Sequence, residues 1–424
     1  MKPQQRVAIV GGTRIPFVKS FTHYKDHTNL DLMTAALQGL VDKFDLKGKK
    51  LGDVALGAVI KHPKDFNLSR ECVLNVGLDP HTPGFDVQRA CGTSLTAAIA
   101  IANKIALGQI DIGIAGGTDT NSDAPLTFKK KAQEAFLALS QARSVTERLA
   151  ALSRFRPGLF VPKIPTVNEP RTGLSMGDHC ELMAKEWQIS REAQDQMALQ
   201  SHRRTVRAYE EGFYKDLLTP FGGLEKDPLP RADTSLEKLA RLKPAFDKEA
   251  GTLSAGNSTP LSDGASAVLL CSEEYAKKHG LPILAFFVDG QSAAVDYVGG
   301  EGLLMAPTYA VAELLSRQGM ALQDFDFYEI HEAFSAQLLC MLKAWESAAY
   351  CQKFLNEKRP LGRIDNEKLN VKGGSVAIGH PFAATGTRLI ASLAKLLSDK
   401  PGTKGLISAC TAGGMGVAAI LEAP

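Results

Sequence analysis

Short apolar runs alternate with segments of helical periodicity along most of the chain, and this alternation predicts an α/β fold. In the first part we predict strands at residues 7–10, 53–60 and 111–115, and a helix over 30–44. A further apolar run ends at Cys91 and leads into an alanine-rich segment with helical spacing. A strand-to-helix junction is therefore predicted at Cys91.

The C-terminal part repeats this order of elements. Helical periodicity at 309–318 is followed by a strand-like run at 325–330, a helix over 385–397 and a strand at 406–410. In both parts the last of these strands is followed by a pair of glycines. We interpret the chain as a weak internal duplication of two α/β halves built alike.

The division into domains follows from this duplication. The N-terminal half covers 1–120 and is completed by 251–273, where small residues return and the apolar run 267–270 predicts a buried strand. The C-terminal half covers 274–424. The intervening residues 121–250 are predicted to form an inserted domain.

The inserted region contains a basic amphipathic segment at 127–156. This segment contains seven Lys and Arg residues and two Glu residues, which gives a local charge of +5. Its apolar residues keep helical spacing. One interpretation is a solvated helix with one core face; the other is a surface for a membrane or a partner subunit. An irregular proline-containing link is predicted over 155–170.

Composition and charge exclude several classes. A chain of 424 residues with 44% apolar and 22% charged residues is typical of a globular protein of two or three domains. The net charge of +3 argues against a dedicated nucleic-acid binder. Residues 1–6 lead straight into the first predicted strand, with no signal sequence before it, and no apolar run is long enough to span a bilayer.

The seven cysteines lack paired CxxC spacing, so neither a disulfide framework nor a structural metal site is expected. A reducing, cytoplasmic setting fits best. The glycines after the first strand read Gly-Gly-Thr-Arg-Ile-Pro, which does not match a dinucleotide-binding loop.

Cys91 is the first candidate for chemistry. At the predicted junction its thiol lies beside unpaired N–H groups of the helix's first turn, which favour thiolate. This makes it a candidate nucleophile. The alternative is a buried small hydrophobe, the usual role of a free cysteine.

Three other residues share a predicted position near a strand end or a loop tip. His380 lies between a glycine and a proline, which suits a rigid base, although a polar turn residue is the alternative. Cys410 and His331 end predicted strands, and each could instead be a core residue. Because chemistry in open α/β folds collects at the carboxyl ends of strands, we expect the four to meet.

Two cysteines and two histidines without metal spacing suit acyl transfer. One thiolate attacks a thioester or ketone, His380 raises the thiolate fraction, and the second thiol shuttles a proton. Glycine-rich backbone supplies N–H donors for the oxyanion.

Several motifs resemble those of the thiolase family, in the family's order and across essentially the whole chain. They are Cys91-Gly92-Thr93-Ser94, Leu242-Lys243-Pro244-Ala245-Phe246, Ala255-Gly256-Asn257, His331-Glu332-Ala333-Phe334, Asn370-x-x-Gly373-Gly374, Gly379-His380-Pro381, Thr385-Gly386 and Cys410-Thr411-Ala412-Gly413. The resemblance implies a five-layered α-β-α-β-α fold of two similar halves, with 121–250 as a loop domain over the substrate site.

The resemblance also implies roles for individual residues. Cys91 would become acylated, His380 would activate it and help bind the thioester oxygen, and Cys410 would exchange a proton with the acetyl-CoA methyl or the incoming thiol. The backbone N–H groups of Cys91 and Gly413 would be oxyanion donors, supported by His331. Coenzyme A contacts are implied at Arg231 and Thr259, and an acyl pocket at Met176, Phe246 and Phe334. Coenzyme A is the substrate, and neither a metal nor another cofactor is implied.

Two departures from the family's pattern are informative. Many thiolases carry Asn where His331 stands; a histidine there, together with an insertion at 343–369 and the link at 155–170, resembles the β subunit of the fatty-acid-oxidation trifunctional complex. Ala383 replaces a common glycine after the His-Pro pair, which puts close backbone packing there in question.

The leading hypothesis is a 3-ketoacyl-CoA thiolase of fatty-acid β-oxidation. A short-chain acetyl-CoA acetyltransferase is the alternative, and an inactive thiolase-fold scaffold or lipid-transfer module is a third. The resemblance further implies a homodimer or higher oligomer. The basic segment 127–156 is predicted to dock on a hydratase/dehydrogenase partner subunit or on a membrane. A ketoacyl-acyl-carrier-protein synthase is disfavoured because Cys410 stands where that group carries His or Asn.

Overall fold

The computed structural model describes residues 5–162 and 166–424. The strands of the described chain are β1 Val7–Arg14, β2 Val18–Lys19, β3 Asp53–Leu56, β4 Gly84–Asp86, β5 Ile112–Asp119, β6 Ser262–Ser272, β7 Ala285–Ala294, β8 Phe327–Ile330, β9 Lys404–Thr411 and β10 Met415–Glu422.

The helices are α1 Asn29–Lys43, α2 Leu68–Asn75, α3 Thr93–Ala106, α4 Lys130–Gln141, α5 Val145–Leu152, α6 Met176–Glu186, α7 Arg191–Glu210, α8 Leu236–Ala240, α9 Glu273–His279, α10 Ala306–Gln318, α11 Ser335–Glu346, α12 Ala348–Phe354, α13 Ser375–Ile378 and α14 Thr385–Leu397.

The strand order supports the internal duplication. The order is β4-β3-β5-β6-β1-β7-β10-β9-β8, with β2 paired to β6 at the side. β1 and β7 pair antiparallel from Val7 with Phe287 to Ile9 with Ala285, which joins the two halves. From this junction outward both halves run through two antiparallel neighbours to parallel strands, so each half presents the same strand pattern.

Three hydrophobic clusters separate the layers. Side chains of a strand alternate between the two faces of its sheet. In β6, Val268 and Leu270 therefore face the central cluster, while Leu269 and Cys271 face an outer one. In β10, Val417 faces the same central cluster and its neighbours face a different outer cluster.

The helices fill these layers as the five-layered fold requires. α3 and α14 pack on each other and on strands of both halves, so they form the middle layer. α1 covers the outer face of the N-terminal strands and α10 the outer face of the C-terminal strands. The layers are therefore α-β-α-β-α, as predicted.

Close approach of α3 and α14 depends on a glycine. A Cβ atom on Gly386 would lie 2.3 Å from the backbone nitrogen of Leu95, well inside van der Waals contact. The backbone N–H of Thr387 donates to the Ser94 hydroxyl at 3.0 Å. The first turns of the two middle helices are thus fixed side by side.

Several predicted elements are confirmed, and others differ in length. The helices predicted over 30–44 and 385–397 are α1 and α14. The strand predicted over 53–60 ends at Leu56. β6 begins at Ser262, whereas its sequence pattern indicated a strand only from 267. The insertion at 343–369 contributes the end of α11 and the whole of α12.

The described chain divides into two compact units, Met1–Asp123 with Glu169–Pro424, and Ala124–Asn168. The second unit is narrower than the inserted domain predicted at 121–250, because α6 and α7 pack on helices of the first unit. The three-domain division stays a prediction.

The smaller unit, Ala124–Asn168, is built on α4 and α5. The basic segment 127–156 was expected to keep one helical spacing, but it is two helices separated where Ser144 caps α5 and bonds the backbone of Glu147. Four large apolar side chains on these helices are half or more exposed. They are Leu137, Val145, Leu149 and Leu152. Part of the predicted link, at residues 163–165, lies outside the described residues.

Within the described residues, no helix combines the length and the apolar content that crossing a bilayer would take. All seven cysteines are free.

Candidate active site

Cys91 lies in a tight turn before α3. β4 ends at Asp86, so the predicted strand reaching Cys91 is wrong: an irregular segment intervenes. Ala90 has a positive φ of 42°, and the Thr93 hydroxyl donates to its carbonyl oxygen at 2.7 Å. The same hydroxyl accepts the backbone N–H of Arg89 at 2.8 Å. This turn brings the half-buried thiol to the start of α3.

The Cys91 thiol is protonated at rest. Burial raises its pKa to about 12, and the negative charge of Asp119 adds to this. Hydrogen bonds from the backbone N–H groups of Ala412 and of Cys91 itself act in the opposite direction but do not compensate. The prediction that the helix terminus would favour thiolate is therefore wrong, because desolvation outweighs it. To react as the predicted nucleophile, a protonated Cys91 thiol would need a base.

The loop after β9 supplies an N–H donor, but not from the predicted residue. The backbone N–H of Gly413 donates to Glu169 at 2.6 Å, so it is already occupied. Tyr297 donates its hydroxyl to the other oxygen of this buried carboxylate at 3.2 Å. The N–H that reaches the Cys91 sulfur belongs to Ala412. The predicted role of Gly413 as an oxyanion donor therefore conflicts with its bond to Glu169, and the neighbouring donor in this loop that faces the thiol is Ala412.

Cys410 lies near the end of β9, as predicted. Cys410 pairs with Gly416 of β10, and the Cys410 side chain is buried. Burial raises the pKa of the Cys410 thiol well above its usual value, and the nearby Cys91 raises it further. The two thiols therefore influence each other across the site, and both are protonated at rest.

His380 stands between α13 and α14, not at a strand end as predicted. Gly379 has a φ of 102°, and a Cβ atom there would lie 2.8 Å from Ser262 Oγ. The backbone N–H of His380 donates to this same hydroxyl at 3.1 Å. Its Nδ1 lies 2.5 Å from the Thr385 hydroxyl. Burial lowers the pKa of His380 to about 3, so the imidazole is neutral and can accept a proton.

His331 directly follows β8, and its ring packs against that of His380 with the two planes tilted by 44°. Their ring centroids are 4.0 Å apart. The backbone N–H of His331 donates to the Ser408 carbonyl at 2.8 Å, and its Nδ1 lies 2.9 Å from the Ser375 hydroxyl. Burial lowers the pKa of His331 well below its usual value, and His380 and Arg388 lower it further. His331 is therefore neutral as well.

Asp119 connects the two halves at this site. It accepts the backbone N–H groups of Val59 and Ile60 at 2.9 and 2.8 Å, and that of Ala383 at 2.7 Å. A Cβ atom on Gly117 would lie 2.2 Å from the Ala383 carbonyl oxygen. Close backbone packing thus survives at Ala383, because the glycine stands on the opposing strand.

The residues predicted for the acyl pocket lie together. Phe246 and Phe334 meet edge to face with ring centroids 5.9 Å apart. Both pack on the same hydrophobic cluster as Met176. A Cβ atom on Gly177 would lie 2.0 Å from the Phe246 ring, so this glycine leaves the ring its place.

The residues predicted to contact coenzyme A differ in their surroundings. Thr259 is half-buried, donates its hydroxyl to the Ser375 carbonyl at 2.9 Å, and bonds the Ala333 carbonyl through its backbone N–H at 3.1 Å. It is thus tied to both histidine-bearing segments. Arg231 is exposed, and its backbone N–H donates to His202 at 3.2 Å.

The site also contains residues to which the sequence analysis assigned no role. They are Glu169, Ser375, Thr385, Arg388 and Ala412. Ser375 and Thr385 flank His380 as polar residues in a stretch of small apolar ones, which is a signal that could have been used. Among the described residues no cluster of three His, Cys, Asp or Glu side chains could hold a metal ion.

Two neutral histidines, two protonated thiols and the Ala412 N–H that reaches one of these thiols are the groups that acyl transfer by covalent catalysis uses. The thiolase N-terminal domain model matches residues 7–274, and the thiolase C-terminal domain model matches residues 281–423. The chain belongs to the thiolase family.

Known relatives cover nearly the full chain. A 3-ketoacyl-CoA thiolase of Photobacterium profundum is 41% identical over 99% of this chain and 97% of that protein. One of Colwellia psychrerythraea is 40% identical with the same coverage.

Solved thiolase structures match the fold over nearly the full chain. A Bacillus anthracis acetyl-CoA acetyltransferase matches with a TM-score of 0.83 and 31% identity over all of both chains. Human mitochondrial 3-ketoacyl-CoA thiolase in complex with CoA matches with a TM-score of 0.83 and 28% identity over 99% of this chain and 98% of that one.

Proposed function

We propose that this thiolase is an acyltransferase that cleaves 3-ketoacyl-CoA with free coenzyme A. The products are acetyl-CoA and an acyl-CoA shortened by two carbons, as in fatty-acid β-oxidation. The observation that carries the proposal is the proximity of two protonated thiols, Cys91 and Cys410. Asp119, whose charge acts on Cys91, also accepts the backbone N–H of Ala383 in the segment that follows the neutral His380. The relatives named 3-ketoacyl-CoA thiolase support the same reaction.

In the first half-reaction the Cys91 sulfur attacks the 3-keto carbon while its proton passes to His380. The carbonyl oxygen becomes negative and then re-forms the carbonyl as the C–C bond breaks. The electron pair of that bond goes to the departing acetyl-CoA carbon, which takes a proton from Cys410. Cys91 is left as a thioester and Cys410 as a thiolate.

In the second half-reaction the thiol of coenzyme A attacks acyl-Cys91 and gives its proton to the Cys410 thiolate. The Cys91 sulfur leaves and recovers its proton from His380. The cycle closes with both thiols protonated, which is their resting state here. The two cysteines therefore need separate roles.

Binding roles follow from the surroundings of each residue. We assign the N–H groups of Ala412 and Cys91 to one reacting oxygen, and His331 with His380 to the thioester oxygen. Met176, Phe246 and Phe334 are assigned to the acyl chain. Thr259 is assigned to the pantetheine arm and Arg231 to the nucleotide of coenzyme A, which is the one small molecule the mechanism uses besides the acyl-CoA.

The test is thiolysis of 3-ketoacyl-CoA substrates with four to sixteen acyl carbons. We expect activity across the series, because apolar and aromatic side chains form the proposed acyl pocket. Activity confined to acetoacetyl-CoA would contradict the degradative function and favour an acetyl-CoA acetyltransferase, the activity named for the Bacillus anthracis neighbour. Absence of both thiolysis and acetyl-Cys91 after incubation with acetyl-CoA would favour an inactive scaffold or lipid-transfer module.

We further propose that the unit Ala124–Asn168 docks on a hydratase/dehydrogenase partner subunit or on an anionic membrane surface. Exposed apolar side chains at Leu137 and Val145, 57% and 73% exposed, accompany the basic residues of 127–156. We expect replacement of Lys129, Lys130 and Lys131 by Glu to weaken co-sedimentation with phosphatidylglycerol vesicles and co-purification with the partner subunit of the same organism.

The matched control reverses three exposed lysines elsewhere, Lys47, Lys49 and Lys50. Its net charge changes equally, so a loss specific to 129–131 identifies the docking surface. Unchanged binding to both vesicles and partner after the first replacement would count against the docking role.

Assembly and compartment complete the proposal. We propose a homodimer, to be measured as a mass of about twice 45.5 kDa by analytical ultracentrifugation. We also propose a cytoplasmic location, since seven free cysteines suit a reducing compartment; cell fractionation tests it.

A further inference from the structure

His331 and His380, whose rings pack against each other, share one feature. Each has its Nε2 buried without a hydrogen-bond partner among the described residues. A neutral imidazole carries one N–H and one lone pair, and the group bonded to Nδ1 decides which of them Nε2 presents. The reaction needs a lone pair to accept the Cys91 proton and an N–H to bind an oxygen that becomes negative.

His380 is held with its lone pair on Nε2. Its Nδ1 lies 2.5 Å from Thr385 Oγ1. That hydroxyl also contacts the carbonyl oxygen of Pro381 at 3.3 Å, and a carbonyl can only accept, so Thr385 donates there. The Thr385 oxygen is then left to accept from Nδ1–H of His380. Nε2 of His380 is therefore the basic nitrogen.

His331 is held the opposite way. Its Nδ1 lies 2.9 Å from Ser375 Oγ, and Arg388 donates from Nη2 to that same oxygen at 2.9 Å. A guanidinium can only donate, so the Ser375 hydroxyl accepts from Arg388 and its own proton is free. Nδ1 of His331 is the partner in reach for that proton. Its Nε2 then carries the N–H.

We propose that Ser375 and Arg388 are positioning residues that set the tautomer of His331, so that His331 donates a hydrogen bond to the reacting substrate oxygen while His380 serves as the base. The assignment rests on the proposed thiolase function. It explains how two histidines 4.0 Å apart serve different tasks.

Burial of the whole network supports this assignment. Ser375, Arg388 and His331 are buried, so an unused hydroxyl proton at Ser375 would be costly. Arg388 also faces Glu329, but at 3.8 Å, which is longer than its bond to Ser375. Removal of the Ser375 hydroxyl would free His331 to carry its proton on either nitrogen.

The direct test is NMR of the full-length protein labelled with ¹⁵N at the histidine rings. We expect the His331 signal, identified by its loss in the His331→Asn variant, to show a protonated Nε2 and an unprotonated Nδ1. In Ser375→Ala we expect this signal to shift toward a mixture of tautomers. A protonated Nδ1 in the unmodified protein overturns the proposal, and this readout does not depend on whether the protein is a thiolase.

Kinetics give the second test. We expect Ser375→Ala to lower kcat for thiolysis roughly 10- to 100-fold with KM for coenzyme A unchanged, because binding-site contacts remain. In a His331→Asn background the same change should cost little, since no tautomer is left to set. An equal cost in both backgrounds would mean a merely structural role and would overturn the proposal.

Ser335→Ala is the matched control. Its hydroxyl is also buried but has no partner among the described residues. We expect it to leave kcat and the His331 signal unchanged. If thiolysis is absent in the unmodified protein, the proposed function fails while the NMR test still decides the tautomer.

Discussion

Replacing Cys91 by alanine is expected to abolish thiolysis, with a loss of roughly 10⁴-fold or more in kcat. Both half-reactions pass through a thioester on this sulfur, so no other group can take its place. Backbone donors and bound substrate would remain and account for residual turnover. The measurement is steady-state thiolysis of a 3-ketoacyl-CoA, with mass spectrometry of the acetylated protein after incubation with acetyl-CoA.

Cys72→Ala is the control that shows whether the position of the thiol, and not its pKa, accounts for its role. Burial raises the pKa of the Cys72 thiol to about 12, as it does for Cys91. Cys72 lies in α2, against Thr34 of α1, away from the histidines. We expect Cys72→Ala to stay active and Cys91→Ala to keep its unfolding temperature. Retained thiolysis in Cys91→Ala, or an equal loss in both variants, would sink the assignment of the nucleophile.

The comparison of these thiols shows what makes Cys91 reactive. A thiol with a pKa of about 12 is almost wholly protonated at neutral pH, so a lowered pKa is not the cause. Burial lowers the pKa of His380 to about 3, so the imidazole is neutral at rest and has a lone pair to accept a proton. We propose that it accepts the Cys91 proton as the sulfur attacks, when the opposite charges that develop on the two groups favour each other. The proposed reactivity of Cys91 therefore depends on Cys91 and His380 together.

The sequence predicted best where one pattern decided the outcome. α14 was placed at 385–397 because its residues keep helical periodicity without a breaker, and it is observed over Thr385–Leu397. β6 was placed too short, because Ser262, Asp263 and Gly264 are turn residues by type. Ser262 and Asp263 pair with β2 and Gly264 pairs with β5, and this tertiary pairing makes them strand.

In the candidate site, too, the sequence did not predict what contacts between distant segments decide. Cys91, His331, His380 and Cys410 were found from their positions and motifs. No role was predicted for Ala412, although it lies in the same motif as Cys410. Its N–H is distinguished only because the N–H of the next residue, Gly413, is already bonded to Glu169, 244 positions away along the chain. Glu169 itself lies in an irregular link with no pattern of its own. Contacts between distant segments thus decide which backbone group faces the thiol.

Replacing Cys410 by alanine is expected to separate the two kinds of chemistry. C–C cleavage needs a proton for the departing acetyl-CoA carbon, so thiolysis of a 3-ketoacyl-CoA should fall by roughly 10²- to 10⁴-fold. Acyl exchange between acetyl-CoA and labelled coenzyme A also uses Cys410 to carry the coenzyme A proton. A thiol is far more acidic than the acetyl methyl group and can pass its proton to His380 or to water instead, so we expect exchange to fall much less than cleavage. Parallel assays of cleavage and exchange on the same preparation measure the split.

Cys340→Ala is the matched control, because this thiol is also buried in the C-terminal half and its pKa is likewise raised by burial, to about 12. It lies in α11 and not in β9, so cleavage and exchange should both persist. An equal loss of both activities in Cys410→Ala would mean that this thiol supports the site as a whole. A split between them would mean that the proton donor for carbon is distinct from the base for sulfur, which is why the site keeps two protonated thiols.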